Sequence, residues 1–253
     1  MMTFLFLIAL LANLALCAWI FYKVTKIHLA SFSLTQSVAA IERETGRLFG
    51  QVQAYLDLKT VLALEKPLPP LRGWAASPDF LLIIASHTLA SKPRTIVECS
   101  SGCSTVVLAR CCQMNHGGQV FSLEHEPEYA ERTRALLEDH GLTQWATVVD
   151  APLVAWPEFE NHRWYSLEGL GLENRRIELL VVDGPPSDTA PLARYPAVPA
   201  LMKCFSDDIT IFVDDADRDE DSRMVDRWLS DHSDLRCQRL YAEKGCARIF
   251  RHM

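Results

Sequence analysis

The sequence predicts an α/β protein with a Rossmann-like, doubly wound, mostly parallel seven-stranded sheet. Short apolar or β-branched runs alternate with helical patterns over most of the chain. This alternation is typical of parallel sheets that are covered by helices on both faces. The last two apolar runs follow each other without a helix between them, which predicts an antiparallel hairpin at the C-terminal end of the sheet.

Composition limits the classes of protein that the chain can represent. It has 253 residues, of which 49% are hydrophobic, so one α/β domain with additional elements is expected. The net charge is −7 and no run of Lys or Arg occurs. Nucleic acid is therefore not an expected partner, because binding a phosphate backbone needs a basic face. The eight cysteines include no C-x-x-C pair, which favours buried, reduced thiols over disulfides or a zinc site.

A charge-free apolar run extends over residues 3–22. Twenty helical residues rise about 30 Å, which matches the hydrocarbon core of a bilayer. Trp19 and Tyr22 lie where interfacial aromatic residues belong, and lysines follow directly. The run predicts a single-pass membrane anchor. Because basic residues on the C-terminal side favour the cytoplasm, the catalytic part of the chain is expected there.

Three regions are predicted: an anchor (1–22), a helical stalk (23–66) and a globular domain (67–253), with a breaker-rich hinge at the end of the stalk. Apolar residues of the stalk fall on a heptad seam interrupted by polar residues. Such a seam would allow a homodimer through the stalk. The alternative is a helix packed against its own domain. The seam residues are Val38, Ile41, Leu48, Val52, Tyr55 and Leu62.

The elements of the globular domain follow in order. A helix from residue 80 to about 89 has Ser77 as its N-cap and Pro78 as its first residue. A less regular segment, 152–176, is expected to help shape a substrate site. Period-2 and period-3.6 patterns predict the remaining elements: strands 95–99, 119–124, 145–149, 177–182, 208–213, 235–241 and 246–251, and helices 104–112, 127–139, 191–204 and 218–230.

The clearest motif lies between residues 95 and 105. A β-branched run ends at Glu98, a loop of small residues follows, and an apolar helix pattern begins. By this arrangement α/β proteins bring backbone N–H groups and a helix N-terminus to a cofactor. Ser104 or Thr105 is placed to cap the helix. The acid disfavours a phosphate and suits a cationic or hydroxyl-rich ligand.

Acidic residues lie at or near the carboxyl end of every predicted parallel strand. Open α/β sheets bind ligands at this edge, and acids in a row repel one another unless a cationic or hydroxylated group lies among them. A single acid there is usually a loop or capping residue, whereas several in register indicate a shared site. These acids are Glu98, Glu124, Asp150, Asp183 and the pair Asp214 and Asp215.

The order of these motifs resembles a class I S-adenosylmethionine-dependent methyltransferase over roughly residues 72–253, and the serine-rich loop resembles a bacterial branch of that family. The resemblance implies S-adenosyl-L-methionine as the cofactor, with Glu98 facing its sulfonium and amino-acid end. The loop has one glycine where the family has two or three, so its serines must tolerate close approach of the ligand. The loop residues implied to bind the cofactor are Ser100, Ser101, Gly102, Ser104 and Thr105.

The same resemblance assigns the later acids. Glu124, with His125 beside it, matches the acid that accepts both ribose hydroxyl groups, a task that suits a carboxylate. Asp150 and Ala151 match the position that contacts the adenine amino group, although a turn residue is the alternative for Asp150. Asp183 lies next to the transferred methyl group, where it would contact the cofactor and act as the catalytic residue. It would align the acceptor or remove its proton.

Asp183 with Asp214 and Asp215 also resembles the magnesium-binding acids of catechol-type O-methyltransferases. Carboxylates together with substrate oxygens suit Mg²⁺, which lowers the pKa of a hydroxyl group. Two residues depart from that group, because Pro186 replaces a lysine and Asp215 replaces an asparagine. The alternative is that the acids after the fifth strand cap the next helix.

Two further pairs are candidates. Arg194 and Tyr195 could clamp an anionic or carbonyl substrate, but a solvent-exposed pair on a helix is the preferred interpretation. Trp74 and Ser77 could form a lid over the cofactor, and packing in the core explains Trp74 equally well.

These expectations combine into a membrane-anchored methyltransferase that acts on an oxygen of a small-molecule or lipid-linked, membrane-associated acceptor. A dinucleotide-dependent oxidoreductase would need a G-x-G-x-x-G motif after the first strand, which this chain lacks. The other alternative is a methyltransferase fold that has lost catalysis and serves as a membrane-tethered interaction module. The presence of Glu98, Glu124 and Asp183 favours the enzyme.

Overall fold

The computed structural model describes residues 1–71, 73–156, 162–172 and 174–251. These residues divide into two compact units, Met1–Gly50 and Gln51–Met253. The first helix, α1 (Met2–Leu62), contributes to both units. It is the one helix of the described part that is long and apolar enough to cross a membrane, a test that core helices and signal sequences also pass.

The end of α1 belongs to the second unit. Leu58 and Leu62 are fully buried in the hydrophobic core of that unit. The alternative expected for the stalk, a helix packed against its own domain, therefore holds for this end of the helix. The compact unit begins at residue 51, earlier than the predicted domain start at residue 67. The seam residues Val38 and Ile41 are exposed, and the homodimer through them stays a prediction.

The remaining elements alternate between strand and helix, as the sequence predicts. Helix α2 begins at Pro78 with Ser77 as its N-cap. In chain order the elements are α2 (Pro78–Ser91), β1 (Thr95–Cys99), α3 (Cys103–Met114), β2 (Gln119–Glu124), α4 (Pro127–Asp139), β3 (Ala146–Asp150), β4 (Leu153–Ala155), β5 (Arg163–Tyr165), β6 (Ile177–Val182), α5 (Ala197–Leu201), a 3₁₀ turn (Met202–Cys204), β7 (Phe205–Asp214), α6 (Asp219–Asp231), β8 (Leu235–Leu240) and β9 (Cys246–Arg251).

Seven strands form one sheet in the order β3-β2-β1-β6-β7-β9-β8. The first five strands of that order are parallel, and β9 runs antiparallel to both β7 and β8. This confirms the predicted fold class and the C-terminal hairpin. The strand order reverses between β1 and β6, and open sheets bind ligands at such a switch point. The carboxyl ends of β1, β2, β6 and β7 meet at this edge.

Both faces of the sheet are buried. Alternate residues of β1 and β6 point to opposite faces, so Ile96 and Leu179 pack with α2 and α3, while Val97 and Leu180 pack with α6. Each such side chain contributes about 1.5–3 kcal/mol through burial. A sheet covered in this way is rigid, and the acids at its edge are therefore held by fixed strand ends.

The structure corrects three of the predicted elements. The predicted helix 191–204 is replaced by turns followed by the short helix α5, because Pro191 and Pro196 lack the N–H group that a continuous helix needs. Neither Ser104 nor Thr105 is the N-cap of α3, which begins at Cys103. The less regular segment 152–176 contains the antiparallel pair β4–β5, and its residues 157–161 and 173 lie outside the described residues.

Candidate active site

The loop after β1 turns sharply with few glycines. Ser100 adopts a φ of +105°, a conformation that L-residues with side chains rarely take. Its N–H donates to the carbonyl of Leu123 at 2.9 Å, which draws the loop toward the end of β2. The sharp turn after β1 is therefore made by a serine in a strained conformation.

The loop after β6 packs against the loop after β1. The Asp183 N–H donates to the carbonyl of Cys99 at 3.2 Å. A Cβ atom on Gly184 would lie 2.5 Å from the Tyr165 hydroxyl oxygen and 2.9 Å from the Ser100 Cβ atom. Glycine is therefore required at position 184, and it brings the Asp183 carboxyl close to the β1 loop.

Glu98 is fully buried beneath the β1 loop. Its Oε2 atom accepts hydrogen bonds from the hydroxyls of Thr105 and Ser122, both at 2.6 Å, and the Thr105 hydroxyl also accepts from the Gly102 N–H at 3.0 Å. Burial raises the pKa of Glu98, and hydroxyl donors led by Ser104 oppose the rise. The Oε1 atom has no protein partner. Glu98 organises the loop, and its contact with a cofactor stays a prediction.

Glu124 lies at the end of β2, where backbone N–H groups, a hydroxyl group and the His125 imidazole surround its carboxylate. Its Oε2 atom accepts from the Ser101 N–H at 3.1 Å and the Ser101 hydroxyl at 2.9 Å. Its Oε1 atom accepts from the N–H groups of His125 and Glu126 at 2.9 and 3.0 Å. Burial alone would raise the pKa of Glu124. The His125 side chain, whose Nδ1 atom lies 3.2 Å from Oε1, and the bonds from the Glu126 N–H and Ser101 outweigh burial and lower the pKa. Glu124 is therefore held as an anion.

A cavity of about 460 Å³ opens at this edge of the sheet, a size typical of small-ligand sites. Glu124 and His125 lie in its wall on the β2 side, and Asp183 lies in its wall on the β6 side. A second cavity of about 720 Å³ adjoins it along α4 and shares Trp74, which is 76% exposed. That exposure excludes core packing as the explanation for Trp74. Ser100 and Ser101 line both cavities, whereas Gly102 and Ser104 line the second.

Several predicted cofactor residues lie outside these walls. Asp150 is exposed and forms an ion pair with Arg134 at 2.7 Å. Ala151 is buried, and its N–H donates to the carbonyl of Glu124 at 2.7 Å. The structure does not bring Asp150, Ala151 or Thr105 to either cavity surface. The assignment of Asp150 and Ala151 to the adenine group stays a prediction.

The three acids predicted to bind a metal converge. Asp183, Asp214 and Asp215 each place a carboxylate oxygen within 4.8 Å of the others. Burial raises the pKa of Asp183 well above its ordinary value, with repulsion from Asp214 adding to the effect and Arg194 opposing it. Burial and the Asp215 charge raise the pKa of Asp214 to about 6. Converging buried acids of this kind need a positive partner.

Arg194 provides that partner, and sequence reasoning did not find it. The predicted solvent-exposed position is wrong, because Arg194 is 5% exposed. Its Nη2 atom donates to Asp215 Oδ2 and to the Asp183 carbonyl, both at 2.9 Å, and lies 3.5 Å from Asp183 Oδ1. The turns that replace the predicted helix 191–204 carry its side chain back to the sheet edge. A surplus of acids at neighbouring strand ends is the signal that could have indicated a buried cation.

The described residues do not fit a magnesium ion at this position. Asp215 Oδ2 already contacts both Arg194 and Arg218 at 2.9 Å, and Lys244 Nζ lies 4.0 Å from its Oδ1. A divalent cation would have to enter beside the buried guanidinium of Arg194 and the partly exposed charges of Arg218 and Lys244, and would be repelled by them. The acids converge as predicted, but the cationic side chains around them already balance their charge.

The sheet order, the small-residue loop after β1 and the acid at the end of β2 are typical of the class I S-adenosylmethionine-dependent methyltransferase fold. Residues 97–216 match a family model described as a methyltransferase domain. The second unit therefore has the fold of these methyltransferases. A search of curated proteins returns no match.

Solved methyltransferase structures share the fold at low sequence identity. The S-adenosylhomocysteine-bound methyltransferase PaMTH1 of Podospora anserina is 13% identical over 79% of this chain and 88% of its own, with a TM-score of 0.56. An O-methyltransferase of Bacillus cereus in complex with S-adenosylhomocysteine is 17% identical, over 79% and 91%, with a TM-score of 0.55. The O-methyltransferase TomG of Streptomyces achromogenes, in complex with S-adenosylmethionine, is 15% identical, over 82% and 96%, with a TM-score of 0.52.

Proposed function

We propose that this chain transfers a methyl group from S-adenosylmethionine to an oxygen of a small-molecule or lipid-linked acceptor. The observation that carries the proposal is the cavity of about 460 Å³ with Glu124 and Asp183 in its walls. The Glu124 carboxylate can accept hydrogen bonds from two hydroxyl groups, and the Asp183 carboxylate can accept a proton. When bound, S-adenosylmethionine supplies the methyl group on a sulfonium. Two of the similar structures are described as O-methyltransferases, which supports oxygen as the acceptor atom.

The residues of the chain would divide the work as follows. Glu124, kept ionised by its four donors, would hold the two ribose hydroxyl groups. Ser100 and Ser101 would present the β1 loop to the cofactor. Asp183 would accept the proton of the acceptor hydroxyl, and its raised pKa makes it a stronger base than an ordinary carboxylate. Its carboxyl group is mostly buried, which excludes water from the base.

Binding and transfer are tested together on the full-length protein in detergent. Calorimetric titration with S-adenosylhomocysteine should give saturable binding, and NAD in a parallel titration should give none. Incubation with S-adenosylmethionine labelled at the methyl group, followed by separate extraction of lipids and small molecules from a supplied cell extract, should place label in one fraction. Binding without label in either fraction would contradict catalysis and favour the tethered interaction module.

Membrane attachment is a second part of the proposal. The apolar run of residues 3–22 in α1 supports an anchor, and the lysines that follow it support a catalytic domain on the cytoplasmic side. Arginine at both Leu11 and Leu14 should release the protein from the membrane fraction, because each charge at a helix centre costs about 2.5–3.5 kcal/mol. The control places arginine at Val38 and Ile41 instead, which are exposed and lie outside the run. This variant should stay in the membrane fraction. A wild-type protein that is recovered without membranes would contradict the anchor.

A further inference from the structure

Arg194 connects the carboxyl ends of β6 and β7 from inside the protein. Its Nη2 atom contacts the carbonyl and carboxylate of Asp183 on β6 and the carboxylate of Asp215 after β7. Its Nη1 atom donates to the Asp214 carbonyl at 3.1 Å and lies 3.6 Å from the carboxylate of Asp221. One guanidinium therefore reaches every acid of the cluster, or its backbone.

All three nitrogens of this side chain are engaged. Nε donates to the carbonyl of Pro185 at 3.4 Å, in addition to the partners of Nη1 and Nη2. A planar guanidinium with this many fixed partners has one orientation available. Arg194 is buried, and although burial alone would lower its pKa, the acids around it raise the pKa, so it stays charged.

Three cationic side chains lie around Asp215. Besides Arg194, Arg218 Nη1 lies 2.9 Å from Asp215 Oδ2, and Lys244 Nζ approaches Oδ1 at 4.0 Å. Asp215 Oδ1 and Asp214 Oδ2 accept no hydrogen bond from the described residues, so these cations alone balance their charge. A divalent ion between the acids would lie close to the three cations and be repelled by them.

We propose that Arg194 is the cation of this active site, and that no divalent metal ion binds between Asp183, Asp214 and Asp215. The guanidinium fixes the ends of β6 and β7 and so positions the Asp183 carboxyl. The acceptor then contacts Asp183 directly, and no metal ion coordinates two oxygens of the acceptor. An acceptor with one hydroxyl group is therefore sufficient, and this last step rests on the proposed methyl transfer.

Manganese uptake tests the proposal. It is measured by electron paramagnetic resonance on the full-length protein in detergent, after treatment with chelator. The wild type should leave the signal of free Mn²⁺ undiminished at equal protein and metal concentrations. Arg194→Gln should take up one Mn²⁺ per chain, because the acids lose their cation. Arg194→Lys keeps the charge and should exclude Mn²⁺. The matched control Arg223→Gln removes an exposed arginine outside the cluster and should behave as the wild type.

Two results would overturn the proposal. The first is uptake of one Mn²⁺ by the wild type that Asp214→Asn abolishes. The second is a folded Arg194→Gln protein, checked by circular dichroism, that leaves Mn²⁺ free. Because loss of the partner of buried charges can unfold a domain, a further measurement uses the wild type alone.

The melting temperature of the wild type should be the same in chelator and in excess Mg²⁺. A bound ion at a hundredfold excess over its dissociation constant would raise the melting temperature by several degrees. A rise with Mg²⁺ that is absent in Asp214→Asn would contradict the proposal. Neither measurement uses cofactor or acceptor, so failure of the proposed methyl transfer would leave the outcome unaffected.

Discussion

Glu124 at the end of β2 and the acids at the ends of β6 and β7 occupy the same edge of the sheet, yet they are held by different partners. Glu124 accepts mainly from backbone N–H and hydroxyl groups beside the His125 imidazole, and its pKa is lowered. Asp183 and Asp215 face a buried guanidinium, and the pKa of Asp183 is raised. Neutral donors can be displaced by a ligand hydroxyl group at little electrostatic cost, whereas a buried ion pair cannot be opened cheaply. The β2 side is therefore suited to exchange partners with a ligand, and the β6–β7 side is suited to stay fixed.

Asp183→Asn is expected to have the largest effect, and it separates the role of the β6–β7 side from that of the β2 side. The amide cannot accept the acceptor's proton, so turnover should fall about 10²- to 10⁴-fold. Affinity for S-adenosylhomocysteine should hold, because Arg194 still donates to the backbone carbonyl of residue 183. Methyl-transfer rates and calorimetry on the same samples measure both quantities. Asp207→Asn, at a fully exposed position, is the control. Turnover at the wild-type rate would remove Asp183 as the base.

Glu124→Ala should weaken binding of S-adenosylhomocysteine by about 10- to 100-fold, because each buried donor left without a partner costs about 1–3 kcal/mol. Calorimetry gives the change in dissociation constant. The exposed Glu128→Ala on α4 removes the same charge away from the cavity and should bind as the wild type does. Equal affinity of the two variants would refute the ribose assignment.

Gly184→Ala tests the contact between the two loops. The new methyl group would overlap the Tyr165 hydroxyl and Ser100, so the free energy of unfolding should fall by about 1–3 kcal/mol. Denaturant titration measures this change. Gly117→Ala has its nearest neighbour at 4.0 Å and should leave stability almost unchanged. Equal midpoints for both variants would mean that the loops are not packed as described.

The smallest effect is expected in the pH dependence of stability. The pKa of Asp214 is raised from 3.8 to about 6, so between these values the folded state binds more protons than the unfolded state. Stability should therefore fall as the pH rises through this range. In Asp214→Asn the fall should be shallower, and Asp183, Glu98 and Asp221, whose pKa values are also raised, should contribute to what is left. Unfolding midpoints of the wild type and of Asp214→Asn across this pH range measure the slope of stability against pH. Equal slopes for the two proteins would contradict the raised pKa of Asp214.

Much of this architecture follows from local pattern. The alternation of apolar runs predicts the parallel sheet, and the acids after the strands predict the ligand edge, because strand polarity brings their carboxyl ends together. The closing hairpin follows from two consecutive apolar runs. These features depend on residues close in sequence, so the sequence alone is enough to identify them.

The position of Arg194 depends on something that local pattern does not contain. Its neighbourhood resembles an exposed helix, and the turns around Pro191 and Pro196 redirect the chain toward the acids of β6 and β7. The surplus of acids requires a cation nearby. The sequence does not show whether this cation is a metal ion or a side chain. Burial and distance distinguish the two, and both come from tertiary structure.

The strain at Ser100 could not be predicted either. A serine in place of a family glycine indicates a departure, but its positive φ arises from the hydrogen bond to Leu123 and the contact with Gly184. Such outliers persist only when surrounding contacts over-determine the backbone.

The internal guanidinium has a consequence for how the domain folds. Asp183, Arg194, Asp214, Asp215 and Asp221 all belong to one continuous segment from β6 to α6. Their contacts therefore need loop closures within that segment alone. We expect this segment to gather early during refolding and to present an edge on which β1 and β2 can assemble, without waiting for an ion from solution.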